Sequence, residues 1–154
     1  HIGVVDLPDD PSDLHEDLER LVIDVPAGLK KDTTEELVRL ADLIVVPVMP
    51  SAFDEMGTVR FLERLAELKP IKRGRRLVAT VGNRTDPRTR ATARLELFLA
   101  SLQFPAIARI RDAAIYSDAA ATGITLFDLP PWRSGTFRSD WEPLLTWIDD
   151  AVEG

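Results

Sequence analysis

Leu21-Val22-Ile23-Asp24-Val25-Pro26-Ala27-Gly28 is an apolar run that ends in one acid and then meets a proline and a glycine. The run predicts a β-strand buried on both faces, which brings Asp24 to the carboxyl edge of an open α/β sheet, where such sheets bind ligands. In phosphate-transferring enzymes an acid so placed sits near Mg²⁺. The glycine-rich lysine loop that accompanies it there, G-x-x-x-x-G-K-[ST], occurs nowhere in the 154 residues.

Outward from that run the apolar periodicity alternates between strand and helix. On the amino-terminal side, Ile2 to Val5 predicts a short strand, and Pro11-Ser12-Asp13 opens a helix to about Glu19. On the other side, Thr33 or Thr34 caps a short helix with Leu37 and Leu40 facing inward, and Leu43-Ile44-Val45-Val46-Pro47-Val48 predicts a second buried strand. Ser51 or Asp54 starts an amphipathic helix through Val59, Leu62, Leu65 and Leu68 that stops before Pro70, and Arg76 to Val81 is a further strand. A helix from about Arg88 to Leu102 follows the turn at Thr85-Asp86-Pro87, then a brief extended piece at Phe104 to Ile107. Asp112 to Ala121 predicts a helix ended by Gly123, and a last helix from about Ser139 to Val152 is expected to bury Trp141, Leu144, Leu145 and Ile148. Strands alternating with helices imply an α/β domain over residues 1–154, with a mainly parallel sheet and helices on both faces.

Composition narrows the function classes. With 45% hydrophobic and 29% charged residues the chain has the mix of a globular domain, and a formal net charge of −7 argues against a generally basic nucleic-acid coat. Without cysteine there is no disulfide, thiolate nucleophile or zinc–thiolate site. The longest apolar stretch, Leu43 to Met49, is far too short to span a bilayer, and no signal pattern opens the chain, so a cytoplasmic location is expected. His1 and His15 do not cluster with other ligands, and Ser12, Ser51 and Ser117 lack the glycine-elbow context of a hydrolase nucleophile. Trp132, in Leu129-Pro130-Pro131-Trp132, reads either as an exposed interface anchor or as a lid on the core.

Several blocks together resemble the ParA/MinD family of deviant Walker ATPases. Leu21 to Gly28 resembles that family's strand ending in D-[TS]-P-[PA]-G, and Ala41-Asp42-Leu43 through Pro47-Val48-Met49-Pro50-Ser51 resembles its A-D, apolar run, P-x-x-P-S segment. Val78 to Val81 with Gly82-Asn83-Arg84 resembles the later strand ending in N-R. Ile110-Arg111-Asp112 through Tyr116 and Ala119 to Gly123-Ile124-Thr125 resembles its I-R-x-x-x-x-Y-x-x-A-x-x-x-G-x-[ST] segment. The family's opening K-G-G-x-G-K-[ST], its helix and its first D-x-D strand are missing. The resemblance thus implies a P-loop NTPase fold truncated at its amino-terminal part. Asp6 has the apolar-then-acid look of a D-x-D strand but lies too close before Asp24; an edge strand is the preferred reading.

The resemblance implies an ATP- and Mg²⁺-dependent switch in a homodimer that partitions or positions DNA or other cargo. It gives Asp24 the Mg²⁺ through water, Pro26 and Gly28 the switch loop, and Asn83 the nucleotide base. It further implies nonspecific DNA contacts through surface cations, for which Arg109, Arg111 and the run Lys72, Arg73, Arg75 and Arg76 are candidates, and a partner protein that stimulates hydrolysis. Without its Walker lysine this chain alone is expected to bind neither ATP nor Mg²⁺ tightly and to be inactive.

Plainer readings stay open beside these. Asp24 and Asn83 are also good turn formers, and Lys69 to Arg76 also reads as a solvated loop. From a different class, the chain reads as a degenerate, non-enzymatic module for protein–protein contact or oligomerisation. A related synthetase of the dethiobiotin or cobyrinate type finds no substrate-carboxylate motif here.

Overall fold

A computed structural model describes residues 20–26, 28 and 30–153. The chain divides into two units, residues 1–34 and 35–154.

In the first unit Leu21 to Pro26 forms no regular structure, and Val22 is 90% exposed. The strand expected over Leu21–Asp24 is therefore not formed. A strand exists through its ladder of hydrogen bonds, and among the described residues this run has no ladder partner. Gly28 turns the chain at φ 85°, a conformation open to glycine and strained for other residues. The elements expected at Ile2 to Val5 and Pro11 to Glu19, and Asp6 with them, lie outside the described residues.

Helix α1 (Lys31–Leu40) starts slightly before the expected cap and buries Val38, leaving Leu40 exposed. Three strands follow, β1 (Leu43–Val48), β2 (Leu77–Thr85) and β3 (Ala106–Arg111), in the spatial order β1-β2-β3 and all parallel. Leu43 pairs with Leu77, and Leu77 N–H donates to Asp42 O at 3.4 Å, so the backbone groups of Ile44, Val46 and Val48 face β2. Pro47, which has no N–H, falls on the alternate set that faces the outer edge, the one place in a strand where the missing donor breaks no ladder bond. That outer edge has no partner among the described residues.

Helix α2 (Ala52–Glu67) begins after Ser51, as the sequence suggests. A single turn, α3 (Lys69–Lys72), takes up Pro70 in its first positions, where a proline needs no hydrogen bond. Helix α4 (Arg90–Ser101) is capped by Thr89, whose side chain accepts from Thr92 N–H. Its Leu95 and Leu99 pack on Val48 of β1. Leu62 and Leu65 of α2 pack with Val38 and Val78. Val81 is three positions from Val78 along β2 and so points to the opposite face, where Leu144, Trp147 and Ile148 of α7 (Glu142–Glu153) cover it together with Ala108 and Ile110. The sheet thus carries helices on both faces, as expected.

Helix α5 (Ala114–Ala121), a 3₁₀ turn at Leu126–Asp128 and α6 (Pro131–Arg138) connect β3 to α7. The last helix, expected from about Ser139, starts at Glu142. Ahead of it Pro131 starts a helix not expected from the sequence, α6, and places Trp132 in its first turn, exposed, rather than in a loop. Leu145, expected in the core, is exposed on α7, while its neighbour Leu144 is buried. Among the described residues no helix is long and apolar enough to cross a membrane.

Candidate functional site

Parallel strands end together, so the loops after β1, β2 and β3 meet at one edge of the sheet. Strand β2 runs four residues past the expected Val81, through Gly82-Asn83-Arg84-Thr85, and β3 runs on to Arg111. A Cβ at Gly82 would stand 3.0 Å from Arg109 Cδ, so a larger residue there would make the Arg109 side chain give way by a few tenths of an ångström. At the ends of β2 and β3 lies a concavity of about 410 Å³ lined by Asn83, Arg84, Arg111, Asp112, Tyr116 and Trp141, among others. A second, of about 250 Å³, follows β1 and is lined by Met49, Pro50, Ser51, Arg84 and Asp112. Arg84 and Asp112 line both.

The backbone at this edge is unusual. Arg84 has φ 52°, the one non-glycine residue with positive φ among the described residues. Its N–H donates to Asn83 Oδ1 at 3.0 Å, and its Nε donates to Asp112 Oδ1 at 3.2 Å. Asp112 is anchored in turn by its own N–H, which donates to Thr85 O at 2.9 Å. Left-handed backbone in a side-chain-bearing residue costs about 1–3 kcal/mol and persists where the surroundings hold it. Among the described residues the Asn83 amide N–H₂ has no hydrogen-bond partner, and Asn83 stands on the rim of the concavity.

The far wall is aromatic. Trp141 Nε1 donates to Tyr116 Oη at 3.3 Å, the two rings lie 6.5 Å apart, and burial pushes the Tyr116 hydroxyl up from its ordinary range. Arg111 is held by one carboxylate: its Nε and one terminal nitrogen each reach Asp140 at 2.7 Å, its backbone N–H donates to the same carboxylate at 3.2 Å, and its guanidinium lies 5.5 Å from the centre of the Phe137 ring. That hydrogen-bonded carboxylate holds the guanidinium's pKa above its usual value.

The other candidate residues are dispersed. Arg109 forks onto Glu96 at 2.8 Å and donates to Ala106 O and Ala108 O, and the guanidinium holds the Glu96 carboxyl below its usual range. Lys72 pairs with Glu67 at 2.6 Å, and Arg76 donates to Arg39 O at 3.1 Å and lies 3.7 Å from Asp42. Arg73 and Arg75 are exposed and, among the described residues, have no ion pair. All of these loop cations precede β2, and the stretch from Leu77 to Asn83 puts them about 20 Å or more along the strand from Asn83. Asp24 and Pro26 are exposed residues of the first unit, outside any strand. No three His, Cys, Asp or Glu side chains converge on a metal position among the described residues. Tyr116 and Trp141 were legible as a motif residue and a core residue; their joint wall on the concavity was not, because it forms across 25 positions of chain.

No family model matches the sequence, and no solved structure matches it. The chain is similar to the maintenance of carboxysome distribution protein A of Halothiobacillus neapolitanus (strain ATCC 23641 / c2), with 29% identity over 111 residues. The match covers 71% of this chain and 50% of that protein, so the chain spans about half the length of the relative.

Proposed function

We propose that this chain is the base-recognising part of a ParA/MinD-like positioning ATPase. The observation that carries the reading is the Asn83 concavity at the carboxyl edge of a parallel sheet, with an amide at its rim and the Tyr116 and Trp141 rings in its wall. The family blocks in the sequence and the carboxysome-distribution relative support the positioning role. A planar base enters beside the aromatic wall, and Asn83 reads its edge through the free amide donor.

The lysine-loop cradle and the Mg²⁺ position of such a site are not supplied by this chain by itself. The lysine loop is missing from the sequence, and no carboxylate cluster stands among the described residues to share a cation. No hydrolytic step is therefore assigned to it. In a complete protein of this kind, dimerisation, a stimulating partner and nonspecific DNA contact through Arg73 and Arg75 complete the cycle, and Asp24, Pro26 and Gly28 serve the metal and the switch.

A ¹H–¹⁵N titration of the 154-residue chain with adenosine tests the reading. Expected are millimolar-range shifts confined to Asn83, Tyr116, Ser117 and their neighbours, with no micromolar heat from Mg-ATP in calorimetry. If adenosine moves no resonance in the concavity, the base-site reading fails and the chain is read as a non-enzymatic interaction module.

A further inference from the structure

The two concavities lie side by side along the sheet edge, one after β1 and one after β2 and β3, and a ligand long enough to occupy both must pass Arg84 and Asp112. We propose that Arg84 is the anion-recognising residue of this edge, that Asp112 is its resting counter-ion, and that the phosphate of a nucleotide seated beside Asn83 displaces Asp112 from it. The proposal rests on the base-site reading for where the ligand's planar end sits.

Among the arginines of the edge, Arg84 alone is available. Arg111 is held at two nitrogens by Asp140, which is only 10% exposed, so withdrawing it would strand a buried carboxylate. Arg84 makes one side-chain bond, through Nε at 3.2 Å, and the pair is open to water, with 63% of the arginine side chain and 55% of the aspartate exposed. Exposed single-contact pairs of this kind contribute little and break easily. The terminal nitrogens of Arg84 make no hydrogen bond among the described residues, and a guanidinium's fork suits two phosphate oxygens at once.

The geometry also says why the residue is arginine at a backbone position that favours glycine. The φ of 52°, fixed by the bond from Arg84 N–H to Asn83 Oδ1, joins the rim amide to the guanidinium. A glycine would relieve the strain and lose the charge. Asp112, on the rim of both concavities, holds the cation in place while no anion is present and repels an anion that arrives without the contacts of the base.

The test compares adenosine, adenosine 5′-monophosphate and inorganic pyrophosphate on the 154-residue chain, reading affinity from backbone shifts and the Arg84 Nε–Hε resonance directly. The monophosphate is expected to bind about threefold or more tightly than adenosine, as a charge-assisted fork predicts. Arg84→Gln removes that ratio whatever it does to adenosine itself, Arg84→Lys keeps part of it, and Asp112→Asn enlarges it. An unchanged ratio in Arg84→Gln, or a smaller one in Asp112→Asn, overturns the proposal. If adenosine fails to bind, the base-site reading has failed, and pyrophosphate still decides about Arg84. It must move the Nε–Hε resonance in the parent chain and more strongly in Asp112→Asn; no movement overturns the inference.

Discussion

Two apolar runs, Leu21-Val22-Ile23-Asp24-Val25 and Leu43-Ile44-Val45-Val46-Pro47-Val48, have similar compositions and opposite outcomes. The second is a strand, paired with β2 through its Ile44, Val46 and Val48 backbone groups and covered on one face by Leu62, Leu65 and Leu95. The first forms no strand, and Val22 lies almost wholly in water. What differs is the partner. An apolar run has the capacity to be a buried strand, and a neighbouring strand with a matching register and a helix to cover it turn that capacity into structure.

Hydrogen exchange should give the widest separation between the runs. The amides of Ile44, Val46 and Val48 are expected to exchange on the order of a thousandfold or more slowly than those of Val22, Ile23 and Val25, since ladder amides open only with their cooperative unit. Equal protection would mean that the first run has a ladder of its own. Next in size, Leu95→Ala removes the fully buried side chain that packs on Val48 and should cost about 2–5 kcal/mol in urea unfolding, whereas Val22→Ser should stay within about 0.5 kcal/mol. A cost above about 1 kcal/mol for Val22→Ser would place that side chain in a core.

Thr89→Ala, which leaves the Thr92 N–H at the head of α4 without its cap, should cost about 1 kcal/mol and lower the protection of β1 only through that helix. The smallest effect is acid sensitivity. Arg88, through its side chain and then its backbone N–H, holds Asp86 at about 2 against an ordinary value of 3.8. The folded form therefore binds fewer protons than the unfolded chain, and the contribution, complete above pH 3.8, is lost as the pH falls towards 2. Asp86→Asn should remove that part of an acid titration and lower the neutral-pH midpoint by the same amount, a small one because Arg88 is exposed and the pair is screened by water.

The periodic elements were legible because each carries its own signal. Strand β1, helix α2 from Ser51, and helix α4 with Leu95 and Leu99 inward can all be read from apolar spacing and a cap. What escaped depends on distant partners. Strand β3 was cut short at Ile107 because Arg109 and Arg111 interrupt the apolar pattern; their carboxylates, Glu96 and Asp140, lie 13 and 29 positions away. Helix α6 was hidden because Pro130-Pro131 reads as a loop, although a proline in the first turn suits a helix. Asn83 and Arg84 are both legible in the N-R motif, but the motif gives a role to Asn83 alone. The positive φ of Arg84 and its pairing with Asp112, 28 positions on, exist only in the folded sheet.

Pro47 has a consequence for the company this sheet can keep. A fibril grows when each added strand offers the next one a complete set of donors and acceptors, repeated without limit. The outer edge of β1 presents a ladder with one rung blank, at the position where Pro47 has no N–H to give. A single strand whose register tolerates that gap can still dock there. Endless stacking of identical copies would lose that bond at every repeat, so the same residue that leaves the β2 pairing intact also disfavours runaway assembly on an edge that has no partner among the described residues.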